Sequence, residues 1–355
     1  MAAATASAAA LLLLPTPTSP ASLRTRFHPT LASVLPSLAA SAKSGDKAAQ
    51  LDVGIVLPKT FPTRLSPRAS VFPRIQELVK DLYTLISTAA AEAGVQLDTA
   101  GGVDARVFMF EDQSGHPASL PQVAHSCSGP IIDLSILASS DRHYHRVFSV
   151  ESEDGEGVLR AYLDAHRAQN ISPPNILRVK VGELEKASKP PIPELRKADA
   201  AHKSVAVGGT FGPLQSSDKV LLTAAAVVVE PETEDILSPN RRRITIGIAA
   251  DADKSWDERQ EAVADFFESI VAFSRRVKTS RAVEHKTGPS GKVVSVRVGP
   301  TLAIDYVEMS DVAGLATSDE SISALVVSKG KDVDAKVIND KRKEKGWRPV
   351  EVYQV

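Results

Sequence analysis

Between positions 205 and 226 the sequence VAVGGTFGPLQSSDKVLLTAAA passes from an apolar strand through a Gly-Gly-Thr-Phe turn directly into an apolar helix. No other stretch limits the fold as much. Gly208 and Gly209 let the backbone turn tightly and approach a ligand closely. The helix that follows offers unpaired N–H groups and the positive end of its dipole to any anion at that junction. Strands alternate with helices in the sequence around it, with buried-looking runs such as AVVV (226–229) and ALVV (324–327). This pattern predicts an α/β protein with a doubly wound parallel sheet, preceded by a smaller α/β unit.

A chain of 355 residues with 43% apolar content suits about two domains and can supply a core for each. Its net charge of -1 creates no field that would draw it to nucleic acid or an anionic membrane, which leaves a small ligand as the expected partner. The single cysteine, Cys127, excludes an internal disulfide framework and fits a reducing, cytoplasmic interior. The apolar run Ala8 to Leu14 is far below the roughly 18 to 20 residues that span a bilayer, so no membrane segment is expected. Residues 1–50 are rich in Ala, Leu, Ser and Pro and carry no acidic residue before Asp46. That composition suits a mitochondrial targeting segment. It suits equally a low-complexity arm that never folds, because prolines at 15, 17, 20, 29 and 36 interrupt any long helix.

From 51 to 185 an α/β domain is expected. Its strands fall at 51–58, 104–112, 131–138 and 144–151, and its helices at 71–94 and 156–167. A charged, proline-bearing linker covers 186–203. Residues 204–355 form the domain that opens with the glycine turn. Strands at 243–251, 323–328 and 348–355, with the stretch VVSVRV at 293–298 and an apolar segment at 302–309, surround helices at 257–277 and 336–345. In the helix at 257–277, Val263, Phe266, Phe267 and Ile270 point to one side, with Glu258, Arg259, Glu261 and Glu268 toward solvent.

The GGTF stretch resembles the opening motif of the nucleotidyltransferase (cytidyltransferase-like) superfamily, most closely that of eukaryotic and fungal phosphopantetheine adenylyltransferases. Further matches are Asp311, Gly314, Val326, Val327 and Ser328 in MSDVAGLATSDESISALVVSKG (309–330), and Asn339 and Arg342 in VINDKRKEKGW (337–347). The stretch GGVDARV at 101–107 resembles the region that fungal members carry ahead of the catalytic domain. The resemblance implies a Rossmann-like fold over roughly 200–355. It also implies transfer of AMP from ATP, with Mg²⁺, to 4′-phosphopantetheine, the penultimate step of coenzyme A synthesis. By the same resemblance Gly208, Gly209, Thr210 and Phe211 border the nucleotide, and Lys219, Ser328, Asn339 and Arg342 contribute further contacts. Lys254 stands near a phosphate-contacting lysine of the family. The family's H-x-G-H signature maps to Gln215, Ser216, Ser217 and Asp218, so both histidines are replaced, one by a neutral donor and one by a carboxylate. The family also continues beyond a strand like VEVYQV into a phosphate-contacting segment, whereas this sequence stops at Val355. Two functions are therefore expected in competition: an adenylyltransferase, or a non-catalytic relative that binds a nucleotide or a coenzyme A pathway protein.

His143 and His145 alternate along one strand, with His125 and Cys127 similarly spaced, but no carboxylate or second pair completes a metal site, and none is expected. His166 and His202 read as surface residues, and the Arg241 to Arg243 cluster as a surface hairpin feature. No Ser-His-Asp order or Walker lysine motif is present.

Overall fold

The computed structural model describes residues 9–17, 19–42, 47–58, 67–111, 129–140, 142–172, 174–183, 201–231, 242–250, 254–273, 280–284, 291–299, 301–330 and 334–355. Most of the expected linker at 186–203 lies outside the described residues, as does Arg241. The chain forms two compact units. The first contains β1 (Ala10–Leu14), α1 (Pro20–Ala42), β2 (Ala49–Val56), α2 (Arg68–Glu92) from Glu77 onward, β3 (Val103–Phe110), β4 (Ile131–Ile132), α3 (Leu134–Ser139), β5 (Arg146–Val150), α4 (Glu153–Ala168) and β6 (Asn175–Val179). Its six strands are all parallel, in the order β4-β3-β2-β1-β5-β6.

The expectation of an unfolded arm over the first fifty residues is corrected here. Leu11 to Leu14 lie in the fully buried strand β1 in the interior of the sheet, and α1 runs through Pro29 and Pro36. An interior proline removes a helical hydrogen bond and costs a helix about 3 kcal/mol. The loss is offset by an apolar stripe at helical spacing, Leu23, Phe27, Leu31, Val34, Leu35 and Leu38, all buried. The segment 131–138, expected as one strand, is split into β4 and the short helix α3. His166 is a second correction: it is buried in α4 beside the Tyr162 ring, 4.2 Å between centroids, and its Nδ1 lies 3.1 Å from the Tyr162 carbonyl.

The second unit holds the start of α2 through Gln76, then β7 (Ser204–Gly209), α5 (Ser216–Val228), β8 (Arg242–Ala249), α6 (Trp256–Val271), β9 (Ser280–Glu284), β10 (Val293–Val298), β11 (Leu302–Met309), α7 (Val312–Ser318), β12 (Ala324–Val327), α8 (Ala335–Glu344) and β13 (Glu351–Gln354). The sheet order is β13-β12-β7-β8-β11-β10-β9. The first five of these strands are parallel, and the hairpin-like pair β10 and β9 extends the edge in antiparallel fashion. The doubly wound parallel plan is thus realised. The run AVVV lies at the end of α5 rather than in a strand: Lys219 to Val228 are buried all round, so the helix lacks the one-sided pattern that betrays most helices.

His202, also expected at the surface, is buried at the amino end of this sheet. Its Nδ1 lies 3.1 Å from Ser323 Oγ, and its Nε2 lies 3.0 Å from Glu351 Oε2 and 2.9 Å from the Tyr353 hydroxyl. Arg242, in the expected surface cluster, is likewise buried and donates to Thr301 Oγ1 at 2.7 Å, while Arg243 pairs with Asp305 at 2.5 Å and Asp319 at 3.2 Å. No helix among the described residues is long and apolar enough to cross a membrane.

Candidate nucleotide site in the second unit

From β7 the chain proceeds to β8 and β11 on one side, then returns to place β12 and β13 on the other. The direction of winding reverses between β7 and β12. In open α/β sheets, ligands bind outside the carboxyl ends of the strands at such a reversal. Here those ends carry Gly208 and Gly209 on β7 and, just past Val327, Ser328 on β12, and the pairing of Val326 with Val207 sets the two ends side by side.

The two glycines are required by packing. A Cβ on Gly208 would lie 2.9 Å from Met309 Sδ and from Val312 Cγ2, so its absence lets α7 close over the sheet. A Cβ on Gly209 would lie 2.9 Å from the Phe211 ring. Phe211 itself is fully buried and adopts φ 45°, a left-handed conformation that costs a non-glycine residue roughly 1–2 kcal/mol. Burial of the ring under Gly209 holds the turn in this shape. The Phe211 side chain, expected to border the nucleotide, is buried beneath the turn, and Thr210 is the exposed residue there.

Gln215 is the N-cap residue of α5, and the Asp218 carboxylate accepts the Gln215 backbone N–H at 3.0 Å. A carboxylate in the first turn satisfies an orphan donor and complements the helix dipole. It also places negative charge at the amino end of this helix. Lys219, one residue further, is 3% exposed and turns inward, its Nζ 5.4 Å from the centroid of the Phe266 ring of α6. Lys254 lies exposed in the loop between β8 and α6, on the carboxyl side of the sheet.

Asn339 and Arg342 do not join this site. Asn339 Nδ2 donates to the Val350 carbonyl at 3.1 Å and its Oδ1 accepts the Val350 N–H at 2.8 Å, which pins the entry to β13. Arg342, fully buried, donates to the carbonyls of Arg348, Ala316, Asp319, Glu320 and Ile322. Both residues therefore secure the amino ends of β12 and β13, opposite the crevice. The Arg342 guanidinium is committed to main chain and the Asn339 amide is turned to Val350, and the nucleotide contacts expected of them are corrected on that ground.

One residue of the site was missed. Arg259, expected toward solvent, is 1% exposed and reaches from α6 to the Thr210 carbonyl at 2.6 Å, the Ala249 carbonyl at 2.7 Å and the Lys254 carbonyl at 3.1 Å. A single guanidinium thus ties the glycine turn to the end of β8 and to the loop bearing Lys254. A signal existed in the spacing: Arg259 stands four and seven residues before Val263 and Phe266, on the apolar stripe of α6. No cluster of three or more metal-ligating side chains occurs among the described residues, and of the imagined metal site His125 and Cys127 lie outside them.

Over 151 residues the chain is 28% identical to a protein of Pyrobaculum aerophilum named phosphopantetheine adenylyltransferase, a span of 42% of this chain and 77% of that protein. A crystal structure of a protein of unknown function from Archaeoglobus fulgidus aligns with 43% of this chain and 88% of its own, at 23% identity and a TM-score of 0.27. Residues 1–184, the span that contains the whole β1–β6 sheet, match the family model described as Domain of unknown function (DUF8446), and the chain belongs to that family.

Proposed function

We propose that the second unit binds ATP at the carboxyl ends of β7 and β12 and transfers AMP from it to 4′-phosphopantetheine. A phosphate oxygen of the acceptor attacks the α-phosphorus, the bond to the β-phosphate oxygen breaks, and dephospho-coenzyme A and pyrophosphate leave. The reaction needs no covalent intermediate, so positioning and charge neutralisation carry it. Mg²⁺ enters with the triphosphate as part of the substrate, as is usual where a protein offers few carboxylates of its own. Thr210 and the Gly208–Gly209 main chain border the nucleotide, Ser328 faces it from β12, and Lys254 approaches from the β8–α6 loop. The observation that carries the reading is the meeting of the glycine turn with the end of β12 at the winding reversal. Similarity to the archaeal adenylyltransferase supports the choice of reaction.

A second reading, nucleotide or pathway-protein binding without turnover, is favoured by one specific observation. The Asp218 carboxylate sits at the N-terminus of α5, where a transferring phosphate needs donors. Calorimetric titration with Mg·ATP, followed by assay of pyrophosphate release in the presence of 4′-phosphopantetheine, separates the two. Release identifies an adenylyltransferase. Binding without release, together with release gained in the Gln215→His/Ser217→Gly/Asp218→His variant, identifies a binding protein on the same frame. Absence of ATP binding refutes the adenylyltransferase and the nucleotide-binding readings together and leaves only binding of a pathway protein.

A further inference from the structure

The first unit has a winding reversal of its own. From β1 the chain builds β2, β3 and β4 on one side and then β5 and β6 on the other, so the reversal lies between β1 and β5, whose carboxyl ends are Leu14 and Val150. Just past Val150 the sixteen-residue helix α4 begins, capped by Ser152, whose Oγ accepts the Gly155 N–H at 3.2 Å. Arg26 of α1 reaches this point. It is 1% exposed, and its Nη2 donates to Ser152 Oγ at 3.2 Å and to Asp154 Oδ1.

Two features set this junction apart from an ordinary helix start. Three donors converge on one carboxylate oxygen: Arg26 Nη2, the Ser152 hydroxyl at 2.7 Å and the Gly155 N–H at 3.0 Å all meet Asp154 Oδ1. That donor set, a guanidinium, a hydroxyl and a helix N-terminal amide, is the one a phosphate oxygen takes. Secondly, Arg26 Nε and Nη1 are buried with no hydrogen-bond partner among the described residues, as is Ser149 Oγ, one residue inside the end of β5. Arginine cannot shed its proton, so unmet buried nitrogens are expensive and ask for an acceptor. Asp154 supplies one charge, but its side chain is 45% exposed and can rotate into water without moving the backbone.

We propose that the carboxyl end of β1 and β5 in the first unit is a binding site for a phosphate-monoester group. Arg26, Ser152 and the N-terminal amides of α4 receive it, and the Asp154 carboxylate occupies the seat until it is displaced. Phosphate brings more acceptor atoms and more charge than the carboxylate it replaces. Gly155 lets the first turn of α4 pack against the end of β5, since a Cβ there would collide with the Val150 carbonyl. The site is independent of the nucleotide reading of the second unit.

The test is titration of the full chain, at low ionic strength, with inorganic phosphate and separately with AMP. It is followed through the Gly155 amide and the Arg26 Nε–H by nitrogen–proton correlation spectroscopy, which reports this unit alone. Both signals are expected to shift saturably. Asp154→Asn, which keeps the cap but removes the competing charge, should tighten binding about tenfold, and Ser152→Ala should weaken it. Tighter binding of AMP than of phosphate identifies the ligand as a nucleotide, and equal binding identifies a simpler monoester. The proposal is overturned if neither signal moves at millimolar ligand in the folded parent and in Asp154→Asn.

Discussion

Replacing Arg259 by methionine keeps most of the side-chain volume and removes the cross-brace behind the glycine turn. The three shortest bonds, at 2.6, 2.7 and 3.1 Å, join a charged donor to the carbonyls of Thr210, Ala249 and Lys254. A hydrogen bond with one charged partner contributes about 1.5–3 kcal/mol, and a buried carbonyl left without its donor accounts for much of that. Three bonds from one group do not add in full, so the loss is set at about 3–5 kcal/mol. At about 2–4 °C per kcal/mol for a unit of this size, melting should fall by roughly 6–20 °C. Both tryptophans, Trp256 and Trp347, lie in the second unit, so urea unfolding followed by tryptophan fluorescence reads that unit selectively. Arg259→Lys retains the charge but not the planar fork and should fall between the two. Because the turn is released, ATP affinity should drop about tenfold even where the variant remains folded. Unfolding of Arg259→Met within about 1 kcal/mol of the parent, with unchanged ATP affinity, would refute the claim that this guanidinium shapes the site.

Other consequences are more local. Leu12→Ala removes a fully buried side chain from the interior of the first sheet and should destabilise that unit by about 2–5 kcal/mol in calorimetric unfolding; a negligible effect would contradict the interior placement of β1. Burial lowers the pKa of His166 below its usual 6.5, outweighing the opposing contact with the Tyr162 carbonyl. The unfolded chain then takes up a proton that the folded unit refuses, so stability should be unaffected well above pH 6.5 and decline as pH falls through 6.5 toward the lower folded value. His166→Phe should flatten that slope, and an unchanged slope would show that another group is responsible. Asn339→Ala leaves both polar groups of Val350 unpaired and should destabilise the second unit by about 1–3 kcal/mol while leaving ATP affinity intact. A selective loss of ATP binding would instead return Asn339 to the site.

Much of the second unit could be read from the chain because its strands are short apolar runs and its junctions carry glycine. The strand–turn–helix at 205–226 and the strand ALVV appear where the sequence placed them. The first fifty residues misled for a physical reason. Composition and proline count describe local preference, whereas β1 and α1 are held by burial against strands that follow much later in the chain. Charged side chains misled similarly. Arg259, expected toward solvent, and Arg342, expected at the nucleotide, are both buried, and each is employed by groups that only the tertiary fold brings near. The resemblance suggests Asn339 and Arg342 as nucleotide contacts, but spacing alone does not distinguish a residue that contacts phosphate from one that fastens a strand, as both do here.

The central claim is that the turn beginning at Gly208 receives the triphosphate of a nucleotide. It is tested most directly by titrating the full chain with Mg·ATP and following the backbone amides of Gly208, Gly209, Thr210 and residues 216–219. Saturable shifts confined to these amides and to Ser328 are predicted. Amides that stay unmoved at millimolar ATP while the protein remains folded would contradict it.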